Sequence, residues 1–184
     1  MNVRQFSRLI SKCLFIVAVA VSTPCYAITA ESIEVGFSPD GGGEALILKV
    51  ISRARRDIHL AAYSFTSKPV IEALLVAKRR GVSVRVLVDR KHNIGAQSGR
   101  AALNILVNAG ITVRTISVYA IHHDKFIIVD GHHVQTGSFN YSQSAAKANS
   151  ENVLVMWGAD GIAQQYLSHW HSRWQRGVDY HSPY

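Results

Sequence analysis

The chain has 184 residues, 48% of them hydrophobic, and a formal net charge of +8. That length and apolar fraction support one domain with a real core and argue against two. The positive excess favours a polyanionic partner, nucleic acid or an anionic membrane surface, without choosing between them, and on charge alone simple solubility is an equally good reading.

Residues 1–27 differ from the rest. Arg4, Arg8 and Lys12 precede the apolar run Cys13 to Val21, and Ser22-Thr-Pro-Cys-Tyr-Ala27 follows. A basic start, a short apolar centre and a small residue at the end predict a signal peptide cleaved after Ala27, with residues 28–184 as the mature domain. The run is shorter than the roughly 20 residues of a membrane span, which makes an uncleaved anchor the weaker reading. Both cysteines, Cys13 and Cys25, lie in this segment, and the Thr-Pro before Cys25 does not resemble a lipoprotein cleavage box. The expectation is a periplasmic or secreted protein with no thiol, no disulfide and no stable membrane anchor. Three of the eight net positive charges leave with the segment, so the mature chain keeps +5.

From residue 32 onward strand and helix patterns alternate. Strands are predicted at 32–37, 58–65, 82–88, 111–116, 126–129, 133–136 and 151–157. Helices are predicted at 44–55, 69–80, 100–108 and 161–176, the second opened by Pro69 and closed by Gly81. Residues 89–99 read as a polar loop, and Asp130-Gly131 as a tight turn joining two strands. Trp170 and Trp174 fall on the apolar stripe of the last helix and read as core rather than as a base-stacking platform. The alternation implies an α/β domain with a mixed sheet flanked by helices on both faces.

The chemistry is concentrated in His122-His-Asp-Lys-Phe-Ile-Ile-Val-Asp-Gly-His-His-Val-Gln-Thr-Gly-Ser-Phe-Asn140 and Asn149-Ser-Glu151. His123, Lys125 and Asp130 have the spacing H-x-K-x4-D; Gly137, Ser138 and Asn140 follow. On an extended segment His123 and Lys125 point to one side, as do Ser138 and Asn140 on the returning strand. An antiparallel pairing about the turn gathers an imidazole, a fixed cation and two neutral hydrogen-bonding groups. A neutral imidazole can attack phosphorus and split one displacement into two. Lys125 and Asn140 can hold the non-bridging oxygens without a metal, and Glu151 is the candidate carboxylate to orient the histidine. A bare H-x-K arises often by chance; the full spacing does not.

This stretch resembles the signature of the phospholipase D superfamily. The segments 35–39, 62–65, 80–82, 149–152 and 165–170 are similar, in order, to its small metal-independent bacterial endonucleases. The resemblance implies a phospholipase D-like fold, with His123 as nucleophile, Lys125 and Asn140 as phosphate ligands, Ser138 as a hydroxyl in the site and Glu151 as the positioning acid. Asp130 and Gly137 are implied as structural members of the motif. His122 lacks the lysine two residues on and reads as a neighbour.

The family mechanism uses a second histidine to protonate the leaving oxygen. This chain has one H-x-K, so the resemblance implies a homodimer with the site at its interface; a histidine such as His92 acting within one chain is the competing reading. His122, His123, His132 and His133 raise the possibility of zinc, but with no cysteine in the mature chain and His132 and His133 beside the turn, the expectation is no metal and no cofactor. The expected partner is nucleic acid, DNA or RNA, cut with little sequence preference, and Arg79, Arg80, Arg90, Lys91 and Arg100 are candidate phosphate contacts or a solvated face. The alternatives are a phospholipase D acting on membrane lipid and a nucleic-acid-binding module without catalysis.

Overall fold

The computed structural model describes residues 29–183, so the expected signal peptide lies outside the described residues. The chain folds as an α/β domain in the order β1 (Ser32–Ser38), α1 (Gly42–Arg53), β2 (Asp57–Ala62), α2 (Lys68–Arg79), β3 (Ser83–Asp89), α3 (Arg90–Gly95), α4 (Gln97–Asn108), β4 (Thr112–Ile116), β5 (Lys125–Val129), β6 (His133–Gly137), α5 (Gln143–Lys147), β7 (Glu151–Trp157), α6 (Asp160–Trp174) and β8 (Val178–Asp179). One mixed sheet runs β1-β7-β6-β5-β2-β3-β4-β8, with β2, β3 and β4 parallel and the remaining pairs antiparallel.

Helices cover both faces, as the alternating pattern predicts. Ile127 and Val129 of β5 join Leu46, Ile47, Leu74 and Leu103 in a core beneath α1, α2 and α4. Phe126 and Ile128 face the other way, into a smaller core with Ala163 and Trp170 of α6. Both tryptophans belong to packing: Trp170 is fully buried, donates Nε1–H to the Leu60 carbonyl at 3.1 Å and stacks on Trp174 at 4.6 Å.

Three departures from the sequence reading carry information. The strand expected to reach Phe65 stops at Ala62, because the chain bends to let Thr66 and Ser67 donate their N–H groups to the Tyr141 carbonyl at 2.7 and 2.8 Å. The expected polar loop at 89–99 contains α3, whose N-cap Asp89 accepts the His92 N–H at 2.8 Å. Gly99 belongs to α4, where a Cβ would lie 2.3 Å from the Asn93 carbonyl oxygen; glycine lets α3 and α4 approach. α5 and β8 are short elements without enough periodicity to read in advance.

The β5–β6 turn is tied to the rest of the sheet by Asp130. Its carboxylate accepts backbone N–H groups from Arg55 (2.9 Å), Arg56 (2.8 Å) and Asp57 (2.9 Å), while its own N–H donates to the Asp57 carbonyl. Burial alone would raise its pKa; the bonds from Asp57, Arg56 and Arg55 and the Arg56 charge overcome this and hold it below the usual carboxylate value. The residue is in the left-handed region, φ 56°, which asparagine also tolerates. Asp130→Asn should therefore cost about 1 to 3 kcal/mol in urea unfolding at pH 7, the difference between charged and neutral acceptors at this junction. Because the folded pKa is depressed, the wild-type advantage is present above the unfolded value of about 4 and is lost as pH falls through the folded one. A gap that persisted undiminished at pH 2 would contradict the charge's role.

Candidate active site

The antiparallel pair β2–β5 places Lys125 opposite Ala62, at the end of the sheet where the parallel strands β2 and β3 finish. Open α/β sheets bind ligands outside the carboxyl ends of such strands. Lys125 is buried, and its ammonium donates to the His123 carbonyl at 2.8 Å and lies 5.5 Å from the Tyr63 ring centre. Burial pushes its pKa down, and Asp124 and Glu151 pull it back up. His123 is exposed just before β5; its ring is 4.7 Å from that of Tyr63, and neither nitrogen takes part in a hydrogen bond among the described residues.

On the returning side, β5–β6 pairing sets Phe126 against Thr136, which brings Gly137 opposite Lys125. Ser138 Oγ donates to Glu151 at 2.5 Å and accepts the Asn152 N–H at 3.1 Å, and Asn149 donates to the other Glu151 oxygen at 2.9 Å. Glu151 thus stands at the edge of the cluster, held by Ser138 and Asn149, and within the chain no hydrogen bond joins it to His123. Asn140 is half-buried beyond β6, and its buried Oδ1 accepts nothing among the described residues. That leaves an acceptor or, with the amide turned, a donor for an incoming group.

The other histidines sort clearly. His122 is buried, donates its backbone N–H to Asp89 at 2.9 Å and has Nδ1 3.5 Å from Asp124; burial lowers its pKa against the pull of Asp124 and Asp89. His132 and His133 are not free turn residues: His132 pairs with Asp160, and His133 Nδ1 accepts the Gly158 N–H at 3.1 Å. Among the described residues no group of three or more His, Cys, Asp or Glu side chains is placed to hold a metal ion. Of the basic candidates, Arg90 and Lys91 sit at the site end of the sheet. Arg79 and Arg80 close α2 at the far end, where Arg80 donates to the Ala54 carbonyl at 3.1 Å.

Two features of this region escaped the sequence. Tyr63 contacts both His123 and His92, and its place at the end of β2 was the available signal. Asp124, between the two motif residues, faces the α6 side and accepts from His169 Nε2 at 2.9 Å. His123, Asp124, Lys125, Gly137, Tyr166 and His169 line a cleft of about 470 Å³.

Several known proteins are similar to this chain in sequence and fold. The family described as "Cardiolipin synthase, PLD-like domain" matches residues 47–174. A crystal structure titled as a phospholipase D family member, Nuc from Salmonella typhimurium, superposes with a TM-score of 0.81 at 44% identity, covering 82% of this chain and 99% of that one. A protein of Rickettsia bellii named "Phospholipase D" is 36% identical over 146 residues, 79% of this chain and 71% of its own. A Danio rerio protein named "Mitochondrial cardiolipin hydrolase" is 33% identical over 135 residues, 73% of this chain and 55% of its own.

Gly137 has φ 149°, and a Cβ there would fall 2.2 Å from the Asn152 carbonyl oxygen, between β6, which ends one residue before Ser138, and β7, which carries Glu151. Gly137→Ala should force β6 from β7, lowering stability by about 2 kcal/mol or more. A thermal unfolding midpoint equal to that of the wild type would show that the backbone absorbs the methyl group.

Proposed function

The chain belongs to the PLD-like domain family of the phospholipase D superfamily, and on that premise we propose that it is a metal-independent endonuclease cutting phosphodiester bonds of DNA or RNA. The observation that carries this reading is the exposed His123 imidazole, unencumbered at both nitrogens, beside the buried ammonium of Lys125. An imidazole nitrogen attacks phosphorus, the bond to the leaving nucleoside oxygen breaks, and that oxygen takes a proton. Water then attacks the phosphohistidine, the N–P bond breaks and His123 is restored. Lys125 and Asn140 hold the non-bridging oxygens, Ser138 fixes Glu151, and Glu151 orients the imidazole after rotating from Ser138 or across an interface.

The proton donor is the His123 of a second copy. An exposed apolar stripe on the edge strand β1 supports a homodimer: Ile33, Val35 and Phe37 are 61%, 61% and 58% exposed on one face of the strand. The strand ends with Ser38 paired to Glu151. A bare edge with such a stripe is a surface that proteins cover. With its expected signal peptide removed, the enzyme acts in the periplasm or outside the cell.

A second reading, a phospholipase D acting on anionic lipid, is favoured by the names of the Rickettsia and Danio relatives. Purified mature protein given plasmid DNA or anionic vesicles in excess EDTA separates the two. Cleavage of the plasmid is expected, with His123→Ala reducing the rate by roughly 10³-fold or more. Lipid turnover without plasmid cleavage would promote the second reading, and loss of cleavage on chelation would remove the metal-free mechanism. Sedimentation should give a dimer; a monomer active at full rate would overturn the shared site.

A further inference from the structure

A depression of about 350 Å³ lies on the α3 side of His123, lined by Tyr63, Asp89, Lys91, His92 and Ile121 among others. Its size falls within the range of ligand sites. The rings of His123, Tyr63 and His92 form a row, with centres 4.7 and 4.3 Å apart, that ends in the exposed His92. Ile121, 53% exposed, faces the same space, and Lys91 makes no ion pair or hydrogen bond among the described residues.

The walls are fastened from beneath. Asp89, 3% exposed, accepts the N–H groups of His92 and His122, tying α3 to the segment that carries Ile121 and His123. Asn93, 1% exposed, donates to the Tyr63 and Asp89 carbonyls and accepts the Phe65 N–H, tying α3 to the end of β2. The hollow is a built feature that shares the Tyr63 ring with His123, the imidazole proposed to attack phosphorus.

We propose that this hollow is a nucleobase subsite: a base flanking the scissile phosphate lies against His92 and Ile121, while Lys91 takes the neighbouring phosphate. The proposal rests on the nuclease reading and deepens it. An aromatic row with an aliphatic wall suits any base, since every base presents a π face, so the subsite adds affinity without sequence preference. One cation beside it suits the charge that comes once per nucleotide.

The test compares a single-stranded oligonucleotide with one of the same length made wholly of abasic residues, both cut by wild type, His92→Ala and Lys91→Gln. Wild type should prefer the base-bearing strand by roughly 5- to 100-fold, carried by KM. His92→Ala should lose most of that preference, and Lys91→Gln should lower the salt dependence of KM by about one phosphate contact on both strands. If wild type cuts both strands with one KM, or His92→Ala keeps the full preference, the subsite falls and the nuclease reading stands. If neither strand is cut, the nuclease reading falls and takes the subsite with it.

Discussion

Three backbone N–H groups converging on the Asp130 carboxylate fix the end of β5 against the start of β2, and the placement of Lys125 depends on that register. β5 is buried along its whole length, so alternate side chains enter opposite cores: Ile127 and Val129 on the α1 side, Phe126 and Ile128 on the α6 side. A slip of one residue would drive each set into the wrong core and exchange Lys125 with Asp124. Asp130, five residues from Lys125, is therefore a remote part of the site; it touches no reacting atom, yet it sets the face on which the ammonium emerges.

The same alternation gives the motif two sides with different tasks. Lys125 emerges on the side of Tyr63 and donates to the His123 carbonyl, which holds the ammonium next to the backbone that carries the imidazole. Asp124 emerges on the other side and engages α6 through His169, fastening the motif from the second face. His122, although adjacent to His123, is spent on burial against Asp89 and Asp124. Two adjacent residues just before β5 thus carry an accessible imidazole and a structural one.

Much of the fold and the location of the cluster were legible in the sequence, for identifiable reasons. The alternating strands and Pro69- and Gly81-bounded helix announce themselves by period and by backbone restriction. The spacing of His123, Lys125, Gly137 and Ser138 about one turn suffices to bring them to one end of the sheet. What stayed hidden depends on contacts between segments far apart in the chain. α3 was lost in a polar stretch because its stability comes from Asp89 and Asn93 bonding to residues near 63 and 122. For Arg79 and Arg80 the choice between phosphate contact and solvated face stays open in the sequence, which carries no information about which pole of the sheet a helix end occupies. The structure puts them beside Arg53, Arg55 and Arg56, away from His123.

That distribution changes what the net charge can mean. A basic chain is commonly read as an electrostatic footprint for a polyanion, yet several of these arginines sit at the Asp130 pole, where Arg56 and Arg80 serve backbone carbonyls. Near the site, Arg100 donates to the Ile94 carbonyl, and Arg173 and Arg176 contact Tyr119. Among the described residues these cations are partly engaged within the chain, and each phosphate contact a cation makes weakens as salt rises. On the proposed nuclease reading, a short-range, salt-insensitive contribution would complement them in holding a strand, and the Tyr63 and His92 rings next to His123 are placed to supply it.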